Sequence, residues 1–558
     1  MRRFVIIFVL ISTLASPFSG IYAQHKNGAA AAATASSASR QIVDQITAAE
    51  LRDFLTFIAS DEMEGRDTPS RGLDTAAKFI AFNLSRWGLK PAGDNGTYFQ
   101  HIALRRFKIN AEKTSAEMNG QSFSFGNDFL ASPPPVRGAL PASASGQLVY
   151  VGNGWMIKAK NIDAYRGIEV KDKVMVVSGN ALPDGVTHAD LTGKPGVDWA
   201  DPPTYAQMHG ARGIIIIPGF QSLAFWNRIQ HSATERGTIA VEKFQTENNE
   251  AQVPTIIASL GMLNTMFRGE SQSAAGLFEQ AVEGRPGAAF DLAVNKKASF
   301  NIIGEADRVT TQNVVAVLEG SDPVLKNEYV ALGAHYDHIG IGVPVNGDNI
   351  YNGADDDGSG TTALLAIADA LSHTTSVRPK RSILFVWHCG EEKGLWGSKY
   401  FTENPTVPLQ QIVAQLNIDM IGRSRRDGDT NPANAALSGP NEIYVIGSKM
   451  MSTELGELSE RVNRSYLNLT FNYRYDDPND KERFFFRSDH FNYARKGIPI
   501  IFYFDGVHED YHKPGDSPDK IDYQKMEKVT RTIFMTMWEL ANAAARPRVD
   551  KQLPTELR

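Results

Sequence analysis

The run Ile383-Leu384-Phe385-Val386-Trp387-His388-Cys389-Gly390-Glu391-Glu392 joins five apolar residues to a histidine, a cysteine and, after one glycine, two glutamates. Five consecutive apolar residues suit a strand buried on both faces, as found where helices cover a mainly parallel sheet. The same texture recurs on either side: Val314–Leu318, Tyr329–Ala334, Ile412–Ile418, Ile443–Ile446 and Ile498–Phe504 read as further buried strands. Thr361–Leu371 reads as a helix rich in Ala and Leu, and Asp522–Ala544 as a closing helix. The alternation after Phe300 predicts an α/β domain with a doubly wound, mainly parallel sheet. Ligands of such sheets bind in the crevice beyond the carboxyl ends of the strands.

Unusual residues stand at those ends. Gly333-Ala334-His335-Tyr336-Asp337-His338 closes one strand, Glu391-Glu392 follows another, and Asp419 follows Ile418. Gly353-Ala354-Asp355-Asp356-Asp357-Gly358-Ser359-Gly360 lies just before the helix, and His508-Glu509-Asp510-Tyr511-His512-Lys513-Pro514 follows the last strand. Any one of these has an ordinary explanation: a helix cap for the aspartates, a solvated loop for the glutamates, a satisfied core ring for a histidine. Five together at one edge do not, because carboxylates are almost never buried unless paired or bound to metal. Imidazole plus carboxylate without thiolate suits zinc, and less strictly manganese or cobalt. Two histidines and three or four acids exceed what one catalytic metal needs, and two metals sharing a carboxylate would use the set economically.

His335-Tyr336-Asp337, the Gly-Ala-Asp-Asp-Asp-Gly-Ser-Gly loop, Gly390-Glu391-Glu392, Asn417-Ile418-Asp419-Met420 and Tyr511-His512-Lys513-Pro514 together resemble the zinc aminopeptidases of the bacterial leucyl aminopeptidase type. That family includes glutamate carboxypeptidases and, more distantly, glutaminyl cyclases and transferrin receptors. The resemblance implies the zinc exopeptidase fold and two zinc ions. It makes His335 and Asp419 terminal ligands of one and Glu392 and His512 terminal ligands of the other. Asp356 would bridge, three residues before Ser359, with Asp355 as second choice. Glu391 would be the general base that activates the attacking water. Asp337 would orient the ligand histidine two residues before it, and Asp516 would do the same for His512.

Upstream, Ile46 begins a helical pattern (Leu51, Phe54, Leu55, Ile58), and a second follows at Ala76, Phe79, Ile80, Phe82 and Leu84. From Pro133 to about Ala274 short β-rich runs such as 147–151 and 173–177 alternate with Gly, Pro and Asp turns. Tyr205–His209 leads through Gly210-Ala211-Arg212-Gly213 into Ile214–Ile217. This mostly β stretch resembles the protease-associated domain often inserted in the family, while Asp61–Arg66 and Gly88–Pro91 resemble the family's N-terminal segment. The expected division is therefore a peptidase domain of residues 46–130 and 275–545 around a protease-associated domain of 131–274. Arg2 and Arg3, the apolar run Phe4–Leu14 and the small residues Ser19–Ala23 read as a signal peptide over 1–23. Its apolar run falls short of the roughly 20 residues that span a bilayer. Residues 24–45, rich in Ala, Ser and Thr, read as a flexible leader. The expected product is exported, periplasmic or secreted, with no membrane span after signal removal.

Composition narrows the remaining classes. The chain has 558 residues, 42% hydrophobic and 22% charged, with 57 basic against 63 acidic residues. A net charge of −6 speaks against a nucleic-acid binder. A single cysteine, Cys389, excludes an intramolecular disulfide and a thiolate zinc finger. The expected function is an exported dinuclear zinc exopeptidase acting on the amino ends of peptide substrates. The alternatives are a carboxypeptidase, dipeptidase or glutaminyl cyclase of the same fold, or a non-catalytic binding protein that uses the protease-associated domain.

Overall fold

The structure is a computed structural model, described for residues 39–131, 142–179, 182–244, 253–285, 287–373 and 377–553. The chain divides into two units, one of residues 1–102 and 311–558 and one of residues 103–310. The signal-peptide reading and residues 24–38 of the expected leader lie outside the described residues.

The first unit is built on a sheet whose strands are β1 (Gly304–Leu318, entering this unit at Thr311), β2 (Tyr329–His335), β3 (Ser382–His388), β4 (Ile412–Ile418), β5 (Glu442–Ile446), β6 (Thr470–Asn472) and β7 (Ile500–Phe504). Their spatial order is β1-β3-β2-β4-β7-β5-β6. The four central strands β3, β2, β4 and β7 run parallel, and β1 and β5 flank them antiparallel. Every residue of β3, β4 and β7 is buried, Gln415 and Asn417 of β4 included, as expected of mostly apolar strands covered on both faces. The chain passes from β2 to β3 on one side and then to β4 on the other, so the order reverses at β2. This is where a doubly wound sheet opens its crevice. The register aligns the strand ends there: His335 pairs with His388, and Gly333 pairs with Asn417, which puts Asp419 level with His335.

Helices α1 (Ala48–Ile58), α2 (Arg71–Arg86), α3 (Gly360–Ser372), α4 (Trp396–Glu403), α5 (His490–Arg495) and α6 (Tyr523–Asn542) cover the sheet. Ser70 caps α2 by accepting the Leu73 N–H, and Asp522 caps α6 by accepting the Lys525 N–H. Helix α3 is buried on nearly every face, so it is apolar all round. Residues 39–43 are helical, with Ile42 and Val43 fully buried, and Arg531 of α6 donates to the Ile46 carbonyl at 2.8 Å. The folded chain therefore begins before the expected leader ends: two apolar side chains inside an Ala/Ser-rich stretch suffice to dock it.

The second unit holds its own sheet. Its central strands Ala142–Tyr150, Val174–Ser178, Gly213–Ile217 and Thr255–Ala258 are parallel. Helices Pro202–His209, Leu260–Phe267 and Ala274–Val282 belong to the same unit, so it is less purely β than its turns suggest. Its limits are wider than the expected 131–274. Strand Lys297–Ile302 pairs between Ser115–Met118 and Ala142–Tyr150, so residues on both flanks are tied into this sheet by backbone hydrogen bonds. Leu148, Val174, Ile215, Ile256 and Leu263 form its core.

Candidate metal centre

The ends of β2, β3, β4 and β7 bring the five expected ligands into one cluster. His335 Nε2 lies 3.2 Å from Asp356 Oδ1 and 3.7 Å from Asp419 Oδ1. His512 Nε2 lies 3.1 Å from Asp356 Oδ2 and 3.2 Å from Glu392 Oε2. Asp356 thus turns one oxygen to each group, as a carboxylate shared by two metal ions must. The first group is almost wholly buried, whereas the His512 side chain is 36% exposed.

The three adjacent aspartates have separate tasks. Asp357 accepts the backbone N–H groups of His335, Gly360 and Met420 at 3.1, 2.8 and 3.2 Å, fastening the ends of β2 and β4 to the start of α3. Asp355 accepts the Gly422 N–H at 2.7 Å and approaches His508 Nε2 at 3.3 Å, away from the cluster. That leaves Asp356 as the bridging candidate. The peptide bond between Asp356 and Asp357 is cis.

Asp337 is fully buried. Its carbonyl lies 3.1 Å from His335 Nδ1, which orients the ring so that Nε2 faces Asp356 and Asp419. Its carboxylate accepts the Glu391 N–H at 3.2 Å. Asp516 departs from expectation. Its carboxylate accepts the N–H groups of Asp355 and Asp356 at 3.0–3.1 Å, so it holds the bridging loop rather than the His512 ring. A carboxylate buried beside free amide donors binds them in preference to a more distant imidazole.

Sequence reasoning left several supports unassigned. Ser488 donates to Asp419 Oδ2 at 2.5 Å. Arg66, fully buried, donates to the carbonyls of Ile58, Tyr336, Asn352 and Gly353, tying the end of β2 to the aspartate loop. Burial lowers its guanidinium to about 10. His338 is also buried against the cluster, with Nδ1 2.8 Å from Glu392 Oε1. It stands in the quoted strand-end string, but one histidine three residues after another carries no signal of its own.

The electrostatics ask for cations. Burial opposes charge on His512, yet Asp356 and Glu392 more than offset it and push the ring up to about 10. Burial, together with the negative charges of Glu392 and Asp419, drives Glu391 well above the usual carboxylate range despite the opposing His335. Asp337 Oδ2, Glu392 Oε1 and both ring nitrogens of His338 are buried without a hydrogen-bond partner. Unpaired buried lone pairs of this kind are costly unless an ion satisfies them, so these residues fit a pair of divalent metals.

Residues 313–537 match the family model of peptidase family M28. The matched stretch lies within the α/β unit and includes the expected ligands His335, Asp356, Glu392, Asp419 and His512. Matching stretches of this chain are 30% identical over 271 residues to a probable zinc metalloprotease of Pyrenophora teres f. teres, covering 43% of this chain and 53% of that protein. They are 26% identical over 282 residues to leucine aminopeptidase 2 of Trichophyton rubrum, covering 46% of this chain and 50% of that one. The chain thus spans about half the length of the curated relatives it matches. An aminopeptidase structure from Aneurinibacillus sp. strain AM-1 superposes over 92% of this chain and 98% of its own, with a TM-score of 0.50 at 16% identity, a likeness of fold. Among the described residues no helix is long and apolar enough to cross a membrane.

Proposed function

We propose that this protein is an exported, dinuclear zinc exopeptidase that removes residues from the amino ends of peptides. The observation that carries the reading is Asp356, whose two oxygens face two separate groups of ligand atoms. His335, Asp356 and Asp419 would hold one ion, and Asp356, Glu392 and His512 the other. When bound, the ions polarise the scissile carbonyl and lower the pKa of water at the site. Glu391 then accepts the water's proton on its carboxylate and returns one to the leaving amine. Asp337 fixes both the His335 ring and the Glu391 backbone, so base and ligand are aligned by one residue.

Beside the ligands, Met420, Phe484, Phe502, Phe504, Val507 and Tyr511 supply the apolar part of a small cleft that Arg487 also lines. Such a wall favours a large apolar side chain on the residue released, and a relative named leucine aminopeptidase is consistent with that preference. We read the 103–310 unit as the protease-associated module of the chain, on Ala211-Arg212-Gly213 entering the strand Gly213–Ile217.

The test combines elemental analysis with a panel of aminoacyl and carboxyl-terminal chromogenic substrates. Two metals per chain, hydrolysis of leucyl or phenylalanyl anilides, and loss of activity with chelators are the expected results. A single metal would overturn the dinuclear reading. Release from the carboxyl end alone, or cyclisation of amino-terminal glutamine, would move the enzyme to another branch of the fold.

A further inference from the structure

Three imidazoles, not two, meet the Asp356–Glu392 side of the cluster. His338 Nδ1 is 2.8 Å from Glu392 Oε1 and 3.8 Å from Asp356 Oδ2, and its ring stands edge-on to that of His512 with centroids 5.8 Å apart. The distance to Glu392 is that of a hydrogen bond, yet neither atom is aligned for one, and the other ring nitrogen of His338 is unpartnered as well. His338, Asp356 and Glu392 each offer an atom within 4.8 Å of the others, as do His335, Asp356 and Asp419 on the other side. A nitrogen and an oxygen lone pair that converge without sharing a proton are arranged as two ligands of one cation.

The ring is built into place. The backbone N–H of His338 donates to the Arg66 carbonyl at 3.1 Å, and Arg66 is itself clamped by four carbonyls. Against the ring lies Gly353, with φ at +59°, where a Cβ would come within 2.5 Å of His338 Cγ. The aspartate loop thus gives up a side chain so that the imidazole can reach the cluster. The ring is fully buried, whereas that of His512 is partly exposed on a loop.

We propose that His338 Nδ1 is a further protein ligand of the metal held by Asp356, Glu392 and His512. That ion would then have two imidazoles and two carboxylates, against one imidazole and two carboxylates for the ion at His335. The inference rests on the dinuclear reading. Its consequence is that the second ion would keep three protein ligands, His338, Asp356 and Glu392, even without the partly exposed His512.

The test uses chelator-stripped full-length protein reloaded with cobalt. Proton NMR of the wild-type cobalt protein should show hyperfine-shifted, exchangeable ring N–H signals from three histidines; two would overturn the proposal without any mutation. In His338→Phe, which keeps the ring volume, one cobalt should bind as in wild type. The other should bind at least 100-fold more weakly with a changed visible spectrum. Loss of a residue that only orients a ligand typically costs 10–100-fold, so a smaller weakening with an unchanged spectrum would make His338 a positioning residue and overturn its role as ligand. Wild-type protein that takes up fewer than two cobalt ions would instead defeat the dinuclear reading.

Discussion

Between Ala103 and Thr310, Thr114 is the single Ser, Thr, Asn, Gln, His or charged residue buried among those described. The α/β unit, by contrast, buries His335, Asp337, His338, Asp356, Asp489 and Asp505, besides many others. Both units have a parallel sheet with helices, so the architecture does not account for the difference. Polar side chains in an interior cost stability unless every lone pair is met, and a unit that only has to fold avoids them. The second unit has the core that stability alone would choose. The α/β unit buries a whole group of charged and imidazole side chains at its strand ends, with Asp337 Oδ2, Glu392 Oε1 and both ring nitrogens of His338 left unpaired.

The sharpest way to break the contrast is to disable the base without touching the ligands. Glu391→Gln should reduce kcat by roughly 10²–10⁴-fold while leaving KM and both metals nearly unchanged. Glu392→Gln, one residue on, should lower the metal content measured by elemental analysis. A Glu391 variant with near-normal kcat would remove it from the mechanism.

A second test reads the other unit. Leu148, fully buried in the core of the 103–310 unit, should behave as ordinary packing. Leu148→Ala should cost about 2–5 kcal/mol in denaturant unfolding with metal stoichiometry unchanged. Loss of metal in that variant would mean the two interiors are not independent in kind.

The smallest effect concerns acid. His490 in α5 is buried with Nε2 2.9 Å from the Phe485 carbonyl, and its ring stacks on Phe502. Burial lowers it to about 3 from an ordinary 6.5. The unfolded chain therefore binds a proton below pH 6.5 that the native state refuses until about pH 3. Stability should be flat above 6.5 on this account and fall between 6.5 and 3, by about 2 kcal/mol at pH 5. His490→Phe should flatten that part of a stability–pH curve; an unaltered slope would assign the acid sensitivity to other groups.

The sequence made the parallel sheet legible because its strands are mostly apolar runs that stop abruptly at acids and histidines. Period and position alone placed most of β2, β3, β4 and β7, and their ends located the cluster. The limits of the second unit were not legible. Ser115–Met118 and Gln121–Ser124 form a short, half-exposed strand pair; the first also pairs with Lys297–Ile302, far along the chain, and pairing at that distance leaves no local mark. Roles that depend on three-dimensional reach were equally hidden. Asp516 is near His512 in sequence but serves the amides of Asp355 and Asp356, and Arg66 acts through carbonyls from three other segments.

The ligands come from the ends of four strands and from a loop between two of them, in an order that reverses at β2. A chain emerging unfolded offers a metal only neighbouring pairs such as Glu391 and Glu392, which bind weakly. Affinity appears when the sheet closes and Asp356 meets His335 from one direction and His512 from another. Under the proposed dinuclear reading, metal uptake and completion of the fold would be one thermodynamic event, and the ions would hold the native state by mass action. On that reading the supply of zinc around the folding chain would decide how much of it survives.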